Sequence, residues 1–350
     1  MNENVFEQLA EALNRLPNGF PRTESGVEIR ILKKIFPPEQ AALACHLTGK
    51  FEPADTIARR AGQPVGEVDR LLFKMVRGGM VWLDRPDGQV CFRLAPFVVG
   101  IYEAQAEFMD HELAHLVEDY FAKGGTLGIM GPQPALHRVV PASGTVKAEA
   151  ILPYEDVRAI LLSAKTFNVI DCICRLQQDK LGFACKFPVH ACLNFSQTER
   201  SPRPGDISQA EALALLEQSE QVGLVHTVSN VMEGVGYICN CCGCCCGILR
   251  GITKYGLENS VAYSNYYAVI DAQFCAACGN CIERCQVSAI SEGDGFSVVD
   301  RNRCIGCGLC VSGCPNNVAR LERKSEAELV RPPKDFVAWE HARLANRGLA

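Results

Sequence analysis

The sequence predicts an α+β multidomain protein in three parts. An N-terminal part of helices closes with a β-hairpin, a cysteine-rich α/β middle part follows, and a small C-terminal part carries two copies of a four-cysteine pattern. Three observations predict this. Helical hydrophobic spacing dominates up to about residue 80 and then gives way to a hairpin pattern. Ten cysteines crowd the stretch from Cys172 to Cys246. Eight more recur at a fixed spacing from Cys275 to Cys314. The expected boundaries are 1–96, a connecting helix and irregular segment at 97–143, the cysteine-rich part at 144–263, the two-copy part at 264–324, and a tail at 325–350.

Composition sets the outer limits. A chain of 350 residues with 48% hydrophobic side chains can bury two or three cores. Mean hydropathy is near zero. Met1–Glu7 is polar and acidic, so no signal peptide is expected. No apolar run reaches about 18 residues, so no membrane span is expected. Twenty cysteines without a secretory signal point away from disulfides and toward metal ligation in a reducing cytoplasm. The net charge of −5 gives no general pull toward nucleic acid.

The N-terminal elements follow from spacing. Pro38–Leu47 is expected to be helical, with Pro37–Pro38 as its start signal. Ala54–Ala61 reads as a second helix. Val65–Arg77 reads as a third, with Val68, Leu71, Leu72, Met75 and Val76 on one face and Gly78–Gly79 as its end. Met80–Leu83, a turn at Pro86–Asp87–Gly88, and Val90–Leu94 read as a hairpin. Three helices and a hairpin over about residues 25–95 resemble a winged helix. The third helix carries Glu67 and Asp69 where base edges would be read, and carboxylates there repel phosphate. From Asp55 to Arg93, seven basic against five acidic residues leave only +2. This argues against DNA and for docking to another protein. Cys45 and Cys91 lie on apolar patterns and read as core.

Phe97–Phe121 reads as one long amphipathic connecting helix. It contains His111–Glu112–Leu113–Ala114–His115, a literal H-E-x-x-H. Asp110, Glu112, Glu118 and Asp119 surround the pair, no third ligand is apparent, and the segment reads as a solvated helix face. Lys123–Ser143 reads as irregular, and Gly124–Gly128 as a turn. Neither it nor Gly234–Val235–Gly236 completes a nucleotide-binding motif, so no NAD or flavin site is expected.

In the middle part, Phe167–Ile170 and Leu224–Val228 read as strands. Ser208 with Glu211 forms a capping box for a helix to about Gln221. Ser201–Gly205 reads as a surface loop. The cysteines form two sequence groups: Cys172, Cys174, Cys185 and Cys192, then Cys239, Cys241, Cys242, Cys244, Cys245 and Cys246. Cys172 and Cys174 are expected on one side of an extended segment, and Cys239 with Cys241 likewise. Gly243 and Gly247 would let the backbone bend tightly. Six crowded thiols repel one another when ionised, which calls for a cation among them. Candidate ligands are Cys172, Cys174, Cys185, Cys192, Cys239, Cys241, Cys242, Cys244 and Cys245.

Cys275, Cys278, Cys281 and Cys285, then Cys304, Cys307, Cys310 and Cys314, each read C-x2-C-x2-C-x3-C, the second followed by Pro315. Thiolates are the soft ligands that iron–sulfur clusters take. This spacing places three thiolates on one cluster and sends the fourth to the other. The expected sets are therefore crossed: Cys275, Cys278, Cys281 and Cys314 for cluster I, and Cys304, Cys307, Cys310 and Cys285 for cluster II. Tyr267–Asp271 reads as a strand before the ladders. Ala289–Ile290, a Gly293–Asp294–Gly295 turn and Phe296–Val299 read as a hairpin between them. Residues 264–324 resemble the bacterial-type two-[4Fe–4S] dicluster ferredoxin domain. They depart from it at Gln286, where that family carries proline.

Two [4Fe–4S] clusters are thus expected, with further iron–sulfur or zinc at the middle cysteines. The Cys172–Ile173–Cys174–Arg175 and Cys239–Cys245 segments, together with the ladders, resemble a group of ferredoxin-like iron–sulfur proteins of anaerobic bacteria. The resemblance implies cluster binding and electron transfer, and the chain as a whole reads as a cytoplasmic electron carrier or oxidoreductase subunit that serves a partner oxidoreductase. Two alternatives stay open: a reductase with a catalytic iron–sulfur centre in the middle part, and a redox-responsive winged-helix regulator.

Overall fold

A computed structural model describes residues 3–146, 151–203 and 205–350. Residues 147–150 of the expected middle part and Pro204 of the expected surface loop lie outside the described residues. The chain divides into two units.

One unit comprises Met1–Pro132, Leu176–Phe183 and Glu340–Ala350. It opens with α1 (Glu3–Asn14), α2 (Val27–Ile35) and α3 (Pro38–Ala44). There follow β1 (Glu52–Pro53), α4 (Ala54–Ala61), α5 (Val65–Arg77), β2 (Val81–Asp84) and β3 (Cys91–Leu94). β2 and β3 form the expected hairpin, and β1 adds to it in the antiparallel order β1-β3-β2. Helix α5 buries Val68, Leu72 and Met75, one stripe at helical spacing, and leaves Leu71 and Val76 half-buried.

The long connecting helix is not there. Residues 97–108 run through tight irregular turns, with Gly100 far from helical angles, and a helix begins only at α6 (His111–Tyr120). Asp110 sets that start: its carboxylate accepts from the Leu113 amide at 2.8 Å, satisfying a donor the helix cannot. His111 and His115 are exposed, with Nε2 atoms 3.2 Å apart. α7 (Thr126–Met130) lies inside the stretch expected to be irregular. Arg343, fully buried, donates to the carbonyls of Pro17 at 2.9 Å, Pro132 at 2.5 Å, and Ile129.

The other unit comprises Gln133–Arg175 and Ala184–Trp339. Its elements are β4 (His137–Val140), α8 (Val157–Leu162), β5 (Thr166–Asp171), the start of α9 (Ile173–Lys180, of which the residues from Leu176 on belong to the first unit), β6 (His190–Ser196), β7 (Asp206–Ile207), α10 (Gln209–Val222), β8 (Val225–Ser229), β9 (Tyr237–Cys241) and α11 (Leu249–Thr253). The six strands pair in the order β4-β8-β9-β6-β5-β7, each pair antiparallel. The expected α/β middle part is therefore an α+β one, because no helical crossover joins parallel neighbours. α10 begins at the Ser208–Glu211 capping box and ends at Gly223 in the left-handed region. β4 lies inside the Gly- and Pro-rich stretch expected to be irregular, yet all four of its residues are buried.

His137 is buried between the Tyr237 hydroxyl at 2.8 Å and Thr227 Oγ1 at 3.1 Å. Burial pulls its pKa down to about 3 from the ordinary 6.5. An unfolded chain takes up a proton there that the fold refuses. Its contribution is therefore complete above about pH 6.5 and is lost as pH falls toward 3. Between pH 7 and 5.5 the fold should lose about 1 kcal/mol through this group. His137→Gln should flatten that loss, as read from denaturant unfolding at the two pH values.

The ladder segment adds β10 (Tyr266–Ile270), α12 (Asn280–Arg284), β11 (Ile290–Glu292), β12 (Ser297–Val299), α13 (Leu309–Ser312) and β13 (Ala319–Arg323), and α14 (Phe336–Asn346) follows. β10 pairs with β13, and β11 with β12, both antiparallel. Buried Glu155 anchors β10 and β13. It accepts from Asn265 Nδ2 at 2.7 Å, the Tyr266 hydroxyl at 3.1 Å and Arg323 at 3.3 Å. No helix among the described residues is long and apolar enough to cross a membrane.

Candidate iron–sulfur and metal centres

The two ladders fold alike. Ala277 and Gly306, two residues after each first cysteine, have φ of 50° and 68°. Gly279 and Gly308 both stand at 78°, and Ser288 and Asn317 at 53° and 54°. Such left-handed positions turn successive amides inward, toward a negatively charged sulfur. Gly306 has no alternative: a Cβ there would lie 2.1 Å from Ser264 Oγ and 2.3 Å from the Tyr266 carbonyl.

Cys275, Cys278, Cys281 and Cys314 line one cavity, together with Ile270 and Pro315. Cys304, Cys307, Cys310 and Cys285 form a second, more buried group. Burial pushes the Cys310 thiol up to about 12, with the charges of Cys304 and Cys285 adding to it. Cys307 is raised well above the thiol range by burial and then by Cys310, Cys285 and Cys304. Backbone amides point at the sulfurs: Ala289 N to Cys285 Sγ at 3.1 Å, and Ala268 N to Cys304 Sγ at 3.4 Å. At Cys314 burial works upward, but amides of Val318, Ala319, Asn316 and Asn317 outweigh it and lower the pKa. Cys314 thus shares a cavity with the first three cysteines of the other ladder, and Cys285 is a charge neighbour of Cys307 and Cys310.

Gln286, in place of a proline, reaches the middle cysteines. Its amide donates to the Gly223 carbonyl at 2.9 Å and accepts from Gly243 N at 3.0 Å. A Cβ on Gly243 would lie 1.9 Å from the Gln286 carbonyl oxygen, so the turn after β9 tolerates only glycine.

The ten middle cysteines regroup across the two sequence clusters. Six are successive neighbours in the closed order Cys172, Cys174, Cys246, Cys241, Cys239, Cys192 and back to Cys172, each thiol shifting the pKa of the next. Sheet register builds half of it. Leu193 faces Ile238 across β6 and β9, which sets Cys192 opposite Cys239, and Cys241 follows on the same face. Cys172 sits at the end of β5, while Cys174 lies in the first turn of α9 rather than in an extended segment. Cys246, absent from the candidate ligands, closes the ring. Thr227 Oγ1 lies 3.5 Å from Cys241 Sγ.

The remaining four, Cys185, Cys242, Cys244 and Cys245, have sulfurs all within 4.8 Å of one another. Among the described residues, theirs is the group of His, Cys, Asp or Glu side chains that could share one ion. Among the described residues, His111 and His115 gather no third ligand.

Charge is distributed unevenly within each group. Hydrogen bonds from Cys174 and then Cys192 hold Cys172 well below the thiol range, against burial. Cys174 and Cys192 are pushed up first by their bonds to Cys172, Cys239 by Cys192, and Cys241 by Cys239. In the second group Cys244 and Cys245 hold Cys242 down, and Cys244 rises to about 12 beside it. Both donor sets, all soft sulfur, fit iron–sulfur or zinc.

Arg175, missed by the sequence reading, supplies the fixed positive charge. It is 1% exposed, stacks on Phe187 with its carbon 5.9 Å from the ring centre, and donates to the carbonyls of Pro188 at 2.9 Å and Asn240 at 2.8 Å. Burial opposes its charge, yet Cys172, Cys242 and Cys241 together hold it protonated. Those three sulfurs belong to both groups. Its Nε has no hydrogen-bond partner among the described residues, an orphaned donor beside sulfur.

Residues 264–319 match the family model of the 4Fe-4S dicluster domain. No curated protein and no solved structure matches the chain.

Proposed function

We propose that this chain is an iron–sulfur electron-transfer protein of the reducing cytoplasm that relays low-potential electrons to a partner oxidoreductase. The observation that carries the reading is the cavity lined by Cys275, Cys278, Cys281 and Cys314, which joins the last cysteine of one ladder to the first three of the other. Cys275, Cys278, Cys281 and Cys314 hold one [4Fe–4S] cluster; Cys304, Cys307, Cys310 and Cys285 hold the other. Such clusters supply reversible one-electron chemistry at low potential. The protein tunes it by burial and by amide-to-sulfur hydrogen bonds. Cys278 is exposed whereas Cys304 and Cys310 are buried, so electrons enter or leave on the Cys278 side.

The six-thiol ring holds a further cluster, fed by the ladder domain. Support comes from its closed arrangement, its wholly sulfur donor set and the neighbouring Arg175. A second reading, a reductase whose reaction occurs at the ring, is favoured by one observation: six thiols exceed the four a cubane takes. The N-terminal helices and hairpin serve as a winged-helix-like docking module for a protein, since α5 presents Glu67 to solvent.

Anaerobic titration with dithionite, followed by mixing with a one-electron viologen acceptor, tests the proposal. Reversible bleaching and quantitative return of the electrons are expected. A protein that takes up no electrons at low potential would sink it.

A further inference from the structure

We propose that Cys185, Cys242, Cys244 and Cys245 bind one zinc ion, in a tetrathiolate site separate from the six-thiol ring. The sulfur spacing carries this. Four sulfurs held about 2.3 Å from a central ion at tetrahedral angles stand about 3.8 Å apart. Cys185 Sγ lies 3.9 Å from Cys242 Sγ and 3.8 Å from Cys244 Sγ, and Cys244 Sγ lies 3.6 Å from Cys245 Sγ. A disulfide would bring two of them to about 2.05 Å. A cubane sets its thiolates on the outer corners of a four-iron core and spreads them well beyond the spacing of a single ion. The separation fits one ion and neither alternative.

The surroundings fit too. Cys242, Cys244 and Cys245 lie on one tight turn directly after β9. Gly243, at the apex, is fixed by Gln286 and by Thr253, whose hydroxyl donates to the Gly243 carbonyl at 2.9 Å. Cys185 arrives from the loop after α9 and closes the fourth corner. Cys242 and Cys245 are buried with Phe187, Ala191 and Leu224, while Cys244 reaches solvent. Four thiolates on a dication leave two negative charges, and Arg175 offsets one beside Cys242. A closed four-sulfur site has no open position for substrate, and zinc has no accessible redox change. The ion therefore clamps the β9 turn and the ladder's Gln286 while electrons pass elsewhere. None of this rests on the ring holding a cluster.

The test uses the full chain, purified anaerobically. Zinc content and zinc K-edge X-ray absorption should give about one zinc per chain with four sulfurs at about 2.3 Å. Cys244→Ser, at the exposed corner, should lower zinc at least tenfold after brief chelation and leave iron content unchanged. Exchange of zinc for cobalt(II) should give intense thiolate-to-cobalt absorption, absent in Cys185→Ser. Absence of zinc overturns the proposal. So does iron in its place, or iron that falls in step with zinc in Cys244→Ser, since the four cysteines would then serve an iron centre.

Discussion

Arg175→Met is expected to destabilise the second unit by about 3–5 kcal/mol and to make metal at both middle cysteine groups labile. The guanidinium is buried, and it is held by two carbonyls and by the charges of Cys172, Cys242 and Cys241. Removing it leaves the Pro188 and Asn240 carbonyls without their donor and the buried sulfur charge without its counterion. Arg175→Lys keeps the charge but loses the planar fork that reaches both carbonyls, so it should recover only part of the stability. Denaturant unfolding and metal content after mild chelation, compared across the three proteins, check this. Methionine that leaves both quantities unchanged would show that the metal sites need no fixed cation.

The crossing of the ladders makes the second large prediction. Cys314→Ala should cost the chain roughly four iron and leave the same residual spectrum as Cys275→Ala. Cys285→Ala should instead match Cys304→Ala. EPR of the dithionite-reduced variants reads the pairing, because each pair of variants retains one and the same cluster. If Cys314→Ala matched Cys304→Ala, the ladders would be uncrossed. The lining of one cavity by Cys275, Cys278, Cys281 and Cys314 argues for the crossed outcome.

Much of this was legible in the sequence where local chemistry decides the structure. Fixed cysteine spacing announced the ladders, and the Ser208–Glu211 capping box and the stripe on α5 announced their helices. The unreadable parts were set by distant contacts. Nothing in Cys185's neighbourhood shows that it leaves Cys172, Cys174 and Cys192 to join the turn after β9. That regrouping depends on the antiparallel register of β6 and β9, which is a tertiary fact. Gln286 looked like a lost turn-forming proline and is instead a bridge to Gly223 and Gly243. The expected connecting helix is interrupted because Gly100 departs from helical angles and Asp110 caps a new helix at His111, which outweighs the hydrophobic spacing over 97–121. β4 was hidden because its His137 and Arg138 are buried polar residues that find partners only in the folded sheet.

The most direct measurement is iron and acid-labile sulfide on anaerobically purified protein, with Mössbauer and EPR spectra after reduction. Two cubanes and a further cluster in the ring require roughly twelve or more iron per chain and a signal beyond that of two coupled cubanes. About eight iron, with spectra accounted for by the ladders alone, would contradict the account and confine electron transfer to residues 264–319.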